Sequence, residues 1–92
     1  MSKWRARFKP SARQDLRALP RHTALRLLSR LTDLEADPYS LGTTELMGAA
    51  GYRRLRGGSY RVVYTLDHGE LIVWVVSVGH RSTTYRDQTE RY

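Results

Sequence analysis

Alternating apolar and charged residues near the start of the chain predict a first β-strand. Trp4, Ala6 and Phe8 alternate with Arg5 and Arg7. Side chains along a strand point in turn to its two faces, so a hydrophobic period of two is typical of extended backbone. The chain is therefore predicted to open with a short strand.

A helical hairpin is predicted after this strand. Residues 11–19 show a short helical pattern with Leu16 and Leu19 on one side, and Pro20 interrupts it. Apolar residues then recur at steps of three and four, which is typical of an amphipathic helix; they are Ala24, Leu27, Leu28, Leu31 and Leu34. This second helix should end before residues 37–38, and two helices joined so tightly should pack antiparallel.

The second half of the chain has strand patterns. Residues 37–51 contain one proline and three glycines and are expected to form a loop. Strands are predicted over residues 52–56, 60–66 and 71–78, with a hairpin turn at residues 67–70. The second strand presents apolar side chains on one face, at Tyr60, Val62, Tyr64 and Leu66.

The last of these strands is nearly all apolar, as expected of a central strand buried on both faces, and Gly79 is expected to end it. Residues 83–92 are polar and fit either a short helix or a frayed tail. The predicted fold class is therefore α+β, in the order β-α-α-β-β-β with an optional C-terminal helix. At 92 residues, the chain is predicted to be one domain, residues 1–92, with a modest core and marginal stability.

The charge indicates a polyanionic partner. The chain has 16 basic residues, 14 of them arginine, against 9 acidic residues, for a net charge of +7. Residues 1–36 have a net charge of +6, and residues 51–66 have four arginines and no acid. RNA, DNA or an acidic protein would fit this charge. A genome that favours arginine codons is the alternative cause.

Composition and motifs exclude several classes of function. The absence of cysteine excludes disulfides, cysteine-type zinc sites and thiol catalysis, and it fits a cytoplasmic protein. Three isolated histidines lack metal-ligand spacing, with His68 expected in a turn and His22 on a helix surface. No nucleophile elbow is present, and Gly57–Gly58 is a turn between strands. The charged N-terminal residues are not expected to form a signal peptide, and the longest apolar run is expected to be too short to span a membrane.

Arginines in the later strands are the main candidate functional residues. Arg54 and Arg56 lie two residues apart and therefore share one strand face. Arg61 lies mid-strand, between two residues predicted to pack in the core. Arg81 follows the last strand, and Tyr85 lies four residues later, so that one helical turn would bring them together.

A convergent set of arginines suits the cleavage of RNA by its own 2′-oxygen. That oxygen attacks the adjacent phosphorus and expels the 5′-oxygen, and arginines can stabilise the charge that grows on the phosphate. Tyr85 could remove the 2′-proton if nearby arginines favour its ionised form, and His80 is the conventional alternative. This route needs no metal or other cofactor. A single strand arginine is more often solvated, and we expect this role for Arg53.

In these segments the chain resembles the RelE/ParE superfamily of bacterial toxin–antitoxin systems, and within it the RelE-like mRNA interferases. The resemblance runs over nearly the whole chain in order. Its most specific part is the combination of Tyr60-Arg61-Val62-Val63-Tyr64 with Val78-Gly79-His80-Arg81. The other matching segments are residues 4–12, 15–16, 19–20, 37–38 and 52–56, with Leu31, Leu34 and Tyr85.

The resemblance implies a small, mainly antiparallel sheet with the helical hairpin on one face and an active groove on the other. It also implies cleavage of mRNA in the ribosomal A site, under the control of a cognate antitoxin. Arg54 and Arg56 match the basic positions that stabilise phosphate in RelE-like enzymes, and Arg61 is the arginine of the central motif. Arg81 matches the arginine after the last strand, and Tyr85 matches the C-terminal tyrosine proposed as general base.

Departures from the family pattern leave alternatives open. Some relatives have lysine where this chain has arginine, which donates a proton poorly, and Gly57 stands where valine or isoleucine is common. Other relatives use a glutamate of the middle loop as base, so Glu45 is an alternative to Tyr85 and His80. ParE-like relatives share the fold, inhibit DNA gyrase and lack the catalytic set. The alternative functions are therefore gyrase inhibition or a catalytically decayed module that binds RNA or protein.

Overall fold

The computed structural model describes residues 3–58 and 60–80. Within these residues it has two helices and five strands, in the order β1 (Arg5–Phe8), α1 (Pro10–Arg17), α2 (Arg21–Ala36), β2 (Thr43–Glu45), β3 (Tyr52–Arg56), β4 (Tyr60–Asp67) and β5 (Ile72–His80). The predicted α+β class is confirmed, and the predicted element order is correct apart from one additional strand. The segment predicted as a C-terminal helix or tail, residues 83–92, lies outside the described residues.

The five strands form one mixed sheet in the order β1-β5-β4-β3-β2. β1 pairs with β5 in parallel, and the other neighbours are antiparallel. A parallel pair needs a long crossover, and the helices and the remaining strands lie between β1 and β5 in the chain. β5 is flanked by β1 and β4, which explains why its sequence is almost entirely apolar and confirms its predicted central place.

Two boundaries predicted from the sequence are wrong. The expected loop over residues 37–51 contains the edge strand β2, in which Thr43 pairs with Leu55. Three polar residues at a sheet edge have no apolar alternation, so the pattern gave no sign of β2. Gly79 does not end β5, because it pairs with Arg61 and His80 pairs with Tyr60. The neighbouring strand sustains this ladder although glycine is a weak strand former.

Both helices pack on one face of the sheet, as predicted. The core between the layers contains α2 leucines and side chains of the three longest strands, among them Leu27, Leu31, Leu34, Leu55, Val62, Tyr64, Val73 and Val75. Leu28 belongs to the predicted apolar stripe of α2, but the residue is 40% exposed. It lies one residue beyond Leu27, about 100° further round the helix, and so misses the sheet. Neither helix is long and apolar enough to cross a bilayer.

An irregularity in β5 ties the sheet to α1. Val63 pairs with Ser77 but Tyr64 pairs with Val75, so Val76 has no partner on β4. Ser11 of α1 donates a hydrogen bond to the Val76 carbonyl at 3.0 Å. One turn further along α1, a carboxylate oxygen of Asp15 accepts a bond from the Val78 amide at 3.1 Å. Helix side chains thus satisfy backbone groups beside the bulge.

Candidate active site

Three of the five predicted site residues lie together on the sheet face opposite the helices, which we call the open face. Arg56 is directly opposite Arg61 across the β3–β4 pair, and Arg54 is opposite Val63. Directly opposite residues of an antiparallel pair share a face. Leu55, between the two β3 arginines, is fully buried in the core on the helix side. We call Arg54, Arg56 and Arg61 the arginine cluster.

The three guanidinium groups differ in their access to solvent. Arg56 is exposed, whereas Arg54 and Arg61 are half-buried. The Nε and Nη1 atoms of Arg61 are shielded from solvent, and Val63, two residues along the same face, is fully buried. A charge with little contact to bulk water exerts a stronger field on a bound anion. The cluster therefore combines an accessible arginine with a shielded one.

The end of β5 lies beside Arg61. On β5, Gly79 pairs with Arg61 and Ser77 pairs with Val63, so the β5 residues next to the cluster are small. Arg81 and Tyr85 lie outside the described residues, which end at His80.

The prediction that Arg53 is solvated is wrong, because its guanidinium packs on the helix side of the sheet. Its Nε donates to the Tyr64 hydroxyl at 3.3 Å, and its Nη2 donates to the Thr43 hydroxyl at 3.0 Å. The group also lies 4.7 Å above the Tyr39 ring. Arg53 therefore holds the edge strand and the loop before it against the sheet, a structural role distinct from that of the cluster.

The register separates Glu45 from the arginine cluster. Glu45 is opposite Arg53 on the β2–β3 pair, and Arg53 is opposite Tyr64, whose side chain lies in the helix-side core. Thr44, which faces Arg54, is the β2 residue on the open face. Sequence reasoning missed Thr44 because it missed β2. The register therefore places Glu45 on the helix side of the sheet, away from the arginine cluster, and this argues against Glu45 as the general base.

Tyr60 is the tyrosine nearest the cluster in sequence, and its surroundings do not favour ionisation. Burial raises the pKa of its phenol, and this outweighs the opposing effect of Arg30 and Arg26. The ring packs over Gly57, where an added Cβ atom would lie 2.2 Å from Cζ. This contact explains why a residue without a side chain stands at position 57. Tyr60 is thus a neutral packing residue near pH 7.

His22 and His68 both lie outside the arginine cluster. His22 is exposed on α2, as expected. His68 lies in the β4–β5 turn, where its ring is 3.2 Å from the Tyr39 hydroxyl and edge-on to Trp4. No group of three His, Cys, Asp or Glu residues within residues 3–58 and 60–80 is placed to hold a metal ion.

Comparison with known proteins decides the family. The model of the ParE toxin of type II toxin–antitoxin systems, parDE, matches residues 6–85. The chain belongs to the RelE/ParE toxin family. Toxin RelG of Mycobacterium tuberculosis (strain ATCC 25618 / H37Rv) is 35% identical over 81 residues, covering 87% of this chain and 93% of that protein. Toxin RelE of the same strain is 32% identical over 77 residues, covering 83% and 79%.

Solved structures of RelE/ParE toxins have the same fold. The RelBE2 toxin–antitoxin complex of M. tuberculosis matches with a TM-score of 0.77 and 30% identity, over 85% of this chain and 98% of that one. The isolated E. coli RelE toxin matches with a TM-score of 0.74 over 96% of this chain and 97% of that one, at 24% identity. The predicted resemblance to this superfamily is confirmed.

Proposed function

We propose that the chain is the toxin of a toxin–antitoxin pair and that it cleaves mRNA on the ribosome, in the cytoplasm. The observation that carries this proposal is the arginine cluster, where Arg56 and Arg61 face each other on the open face beside small β5 residues. Like charges directly opposite on a sheet repel. A phosphate bound between them would relieve this repulsion and place its phosphorus among preorganised donors.

The reaction is an internal transfer at phosphorus. The 2′-oxygen of a ribose gives up its proton and forms a bond to the adjacent phosphorus, while the bond to the 5′-oxygen breaks. The products are a 2′,3′-cyclic phosphate and a 5′-hydroxyl, once the departing oxygen takes up a proton. Extra negative charge grows on the phosphate oxygens in the transition state, and Arg54, Arg56 and Arg61 are proposed to stabilise it. This mechanism requires no metal or other cofactor.

The proton transfers are assigned to residues at the end of β5 and beyond it. Tyr85 is the proposed general base, with Arg81 as a further phosphate contact, and His80 is the alternative base. Glu45 is disfavoured because its strand register puts it on the side of Arg53. Tyr60 is disfavoured because burial holds its proton.

The partner in this proposal is a cognate antitoxin. Three similar structures are complexes of a RelE toxin with a RelB antitoxin or its peptide, from M. tuberculosis and E. coli. The net charge of +7 suits a partner with acidic segments.

A second function is favoured by one observation, because the matching family model is that of ParE toxins. In the ParE-like alternative the chain would inhibit DNA gyrase and the arginine cluster would not be catalytic. Induced expression in cells separates the two. RelE-like activity predicts truncated mRNAs with cuts inside codons, and purified chain should produce the same cuts on programmed ribosomes. Intact mRNA with gyrase-dependent DNA breaks would overturn the nuclease proposal, and harmless expression would favour a decayed binding module.

A further inference from the structure

A second group of cations lies on the open face, at the β1 side of the sheet. In the parallel β1–β5 pair, Arg7 is opposite Trp74 and Arg5 is opposite Ile72. The residues that alternate with these arginines, Ala6 and Phe8, pack against the helix-side core. The strand alternation therefore directs the β1 arginines away from the helices. We call Arg5, Arg7, Lys9 and Trp74 the β1 strip.

The β1 strip and the arginine cluster share one sheet face. Trp74 is opposite Thr65 on β4, and Thr65 lies four residues from Arg61 on the same strand, so the two have the same orientation. Four residue steps of β4 therefore separate Thr65, the partner of Trp74, from Arg61. At about 3.3 Å per residue this is roughly 13 Å, a span that a short stretch of single-stranded RNA can cover.

The cations of the strip are exposed to solvent, and none of them forms an ion pair with another residue of the described ranges. Arg5, Arg7 and Lys9 are all exposed. The ion pair found within residues 3–58 and 60–80 is Arg30–Asp33, on α2. A shallow surface cavity of about 460 Å³ lies here, lined by Arg5, Arg7, Glu70, Ile72 and Trp74. The two lining arginines against one carboxylate leave an excess of positive charge in this cavity.

An indole among these cations adds a stacking surface. Trp74 is partly exposed, and the Lys9 ammonium lies 4.2 Å from its ring centroid. Lys9 has a long, flexible side chain, so it can move from the ring to a phosphate and leave the ring to a base. Basic side chains along the backbone and aromatic rings under the bases are the general means of binding single strands.

We infer that the β1 strip is an RNA-binding subsite that holds the substrate strand to one side of the bond cleaved at the arginine cluster. The inference rests on the proposed function for its substrate. Arg5 and Arg7 bind phosphates there, and Trp74 stacks on a base. An acidic antitoxin segment would also suit the charge, but RNA is favoured because the strip continues the face of the arginine cluster and contains an aromatic ring.

The test measures binding separately from cleavage. The probe is a short single-stranded 2′-O-methyl RNA, which lacks the nucleophile and stays intact. Its affinity for the full chain is measured over a range of salt concentrations. Each lost phosphate contact lowers the log–log salt slope by about 0.7 for single strands, so an Arg5→Ala/Arg7→Ala double variant should lower it by roughly 1.4. An Arg13→Ala/Arg17→Ala double variant on exposed positions of α1 removes the same charge and should keep the slope.

Tryptophan fluorescence reports on stacking directly. The chain has two tryptophans, and Trp4 is buried, so quenching by the RNA should be lost in Trp74→Phe. That variant should retain most of the affinity because phenylalanine also stacks. Trp74→Leu should weaken binding by about 5- to 100-fold, the usual effect of losing one stacked base.

Three outcomes would overturn the inference. One is a wild-type salt slope in the arginine double variant together with no quenching of Trp74. Another is a loss of antitoxin binding in the strip variants with unchanged RNA affinity, which would assign the strip to the antitoxin. The third is weaker binding to mRNA-free ribosomes with unchanged oligonucleotide affinity, which would assign it to ribosomal RNA. If the wild-type chain binds the probe through the β1 strip but cuts no mRNA, the proposed nuclease activity is refuted, whereas RNA binding by the strip is supported.

Discussion

Arg56 and Arg61 face each other directly across the β3–β4 pair. A packed sheet gains nothing from two permanent positive charges in this relation, since like charges opposite each other are destabilising. Residues that break a local rule without benefit to the fold are expected at functional sites. The pair is therefore where the proposed function expects the phosphate of the substrate to bind.

Removal of either arginine should separate activity from stability. Loss of one preorganised donor typically lowers the rate by ~10²–10³, and we expect an effect of this size for Arg61→Ala on mRNA cleavage by programmed ribosomes. Arg56→Ala should also lower the rate. The Arg56→Ala substitution also removes the repulsion between the two strands. The free energy of unfolding of this variant should therefore equal that of the wild type or exceed it by up to ~1 kcal/mol.

The control for these variants is Arg13→Ala, which removes the same charge from an exposed position on α1. It should cleave at the wild-type rate. Equal cleavage by all three variants would mean that the arginine cluster is not part of the chemistry.

The general base can be identified from two conservative substitutions. Tyr85→Phe removes only the phenolic hydroxyl and should lower single-turnover cleavage on ribosomes, with unchanged binding to the antitoxin. Glu45→Gln should cleave normally, because the register puts Glu45 on the side of Arg53. The reverse result, a slow Glu45→Gln and a normal Tyr85→Phe, would move the base to β2. Full activity in both would leave His80 as the next candidate.

The sequence pattern predicted the helices and the longer strands because those elements have strong periodicity. β3 was predicted at its observed bounds, and the apolar face of β4 was predicted correctly for Tyr60, Val62 and Tyr64, which all lie in the core. β2 was missed because a three-residue edge strand buries too little to leave a pattern. In β5 the core residues are Val73, Val75 and Val78, a spacing shifted by the bulge and hidden in a continuous apolar run.

The candidate site was predictable as far as strand alternation reaches. Two-residue spacing placed Arg54 and Arg56 on one face, and the register confirms that Arg61 shares it. The same alternation, applied from the buried Leu55, would have placed Arg53 on the core side, where it binds Tyr64 and Thr43. The relation of β1 to this face was not predictable, because only tertiary structure shows that β1 lies parallel beside β5.

The turn between β3 and β4 offers a test of packing with a close control. In Gly57→Ala the new Cβ would lie 2.2 Å from Cζ of the buried Tyr60, so we expect a destabilisation of about 1–3 kcal/mol from overpacking. The adjacent Gly58 has no atom within 4 Å of such a Cβ, and Gly58→Ala should be neutral or slightly stabilising. Urea unfolding at one pH measures both. Equal stability of the two variants would contradict the tight Gly57–Tyr60 contact.

The raised pKa of Tyr60 predicts a loss of stability at high pH. The folded state holds the phenolic proton more tightly than the unfolded chain, whose tyrosines titrate near the ordinary value of 10.0. The resulting stability is fully present below that pH and is lost as pH rises through the folded pKa. The free energy of unfolding should therefore fall less steeply between neutral and strongly alkaline pH for Tyr60→Phe than for the wild type. If it falls equally in the two proteins, burial does not perturb the Tyr60 phenol.

Binding of the antitoxin should stabilise the toxin strongly. A small chain with a net charge of +7 has a modest core and much self-repulsion, and an acidic partner relieves the repulsion while it covers apolar surface. A partner that binds only the folded toxin adds about 4 kcal/mol at a thousandfold excess over its dissociation constant. Each kcal/mol raises the melting midpoint of a domain of this size by about 4–8 °C, so the midpoint should rise by more than ~10 °C.

The candidate antitoxin is added to the toxin at increasing concentrations, and thermal unfolding is measured at each one, with an unrelated acidic protein of similar charge as control. If the unrelated acidic protein raises the midpoint equally, the stabilisation comes from charge alone. An unchanged midpoint at saturating antitoxin would show that the two proteins are not a pair.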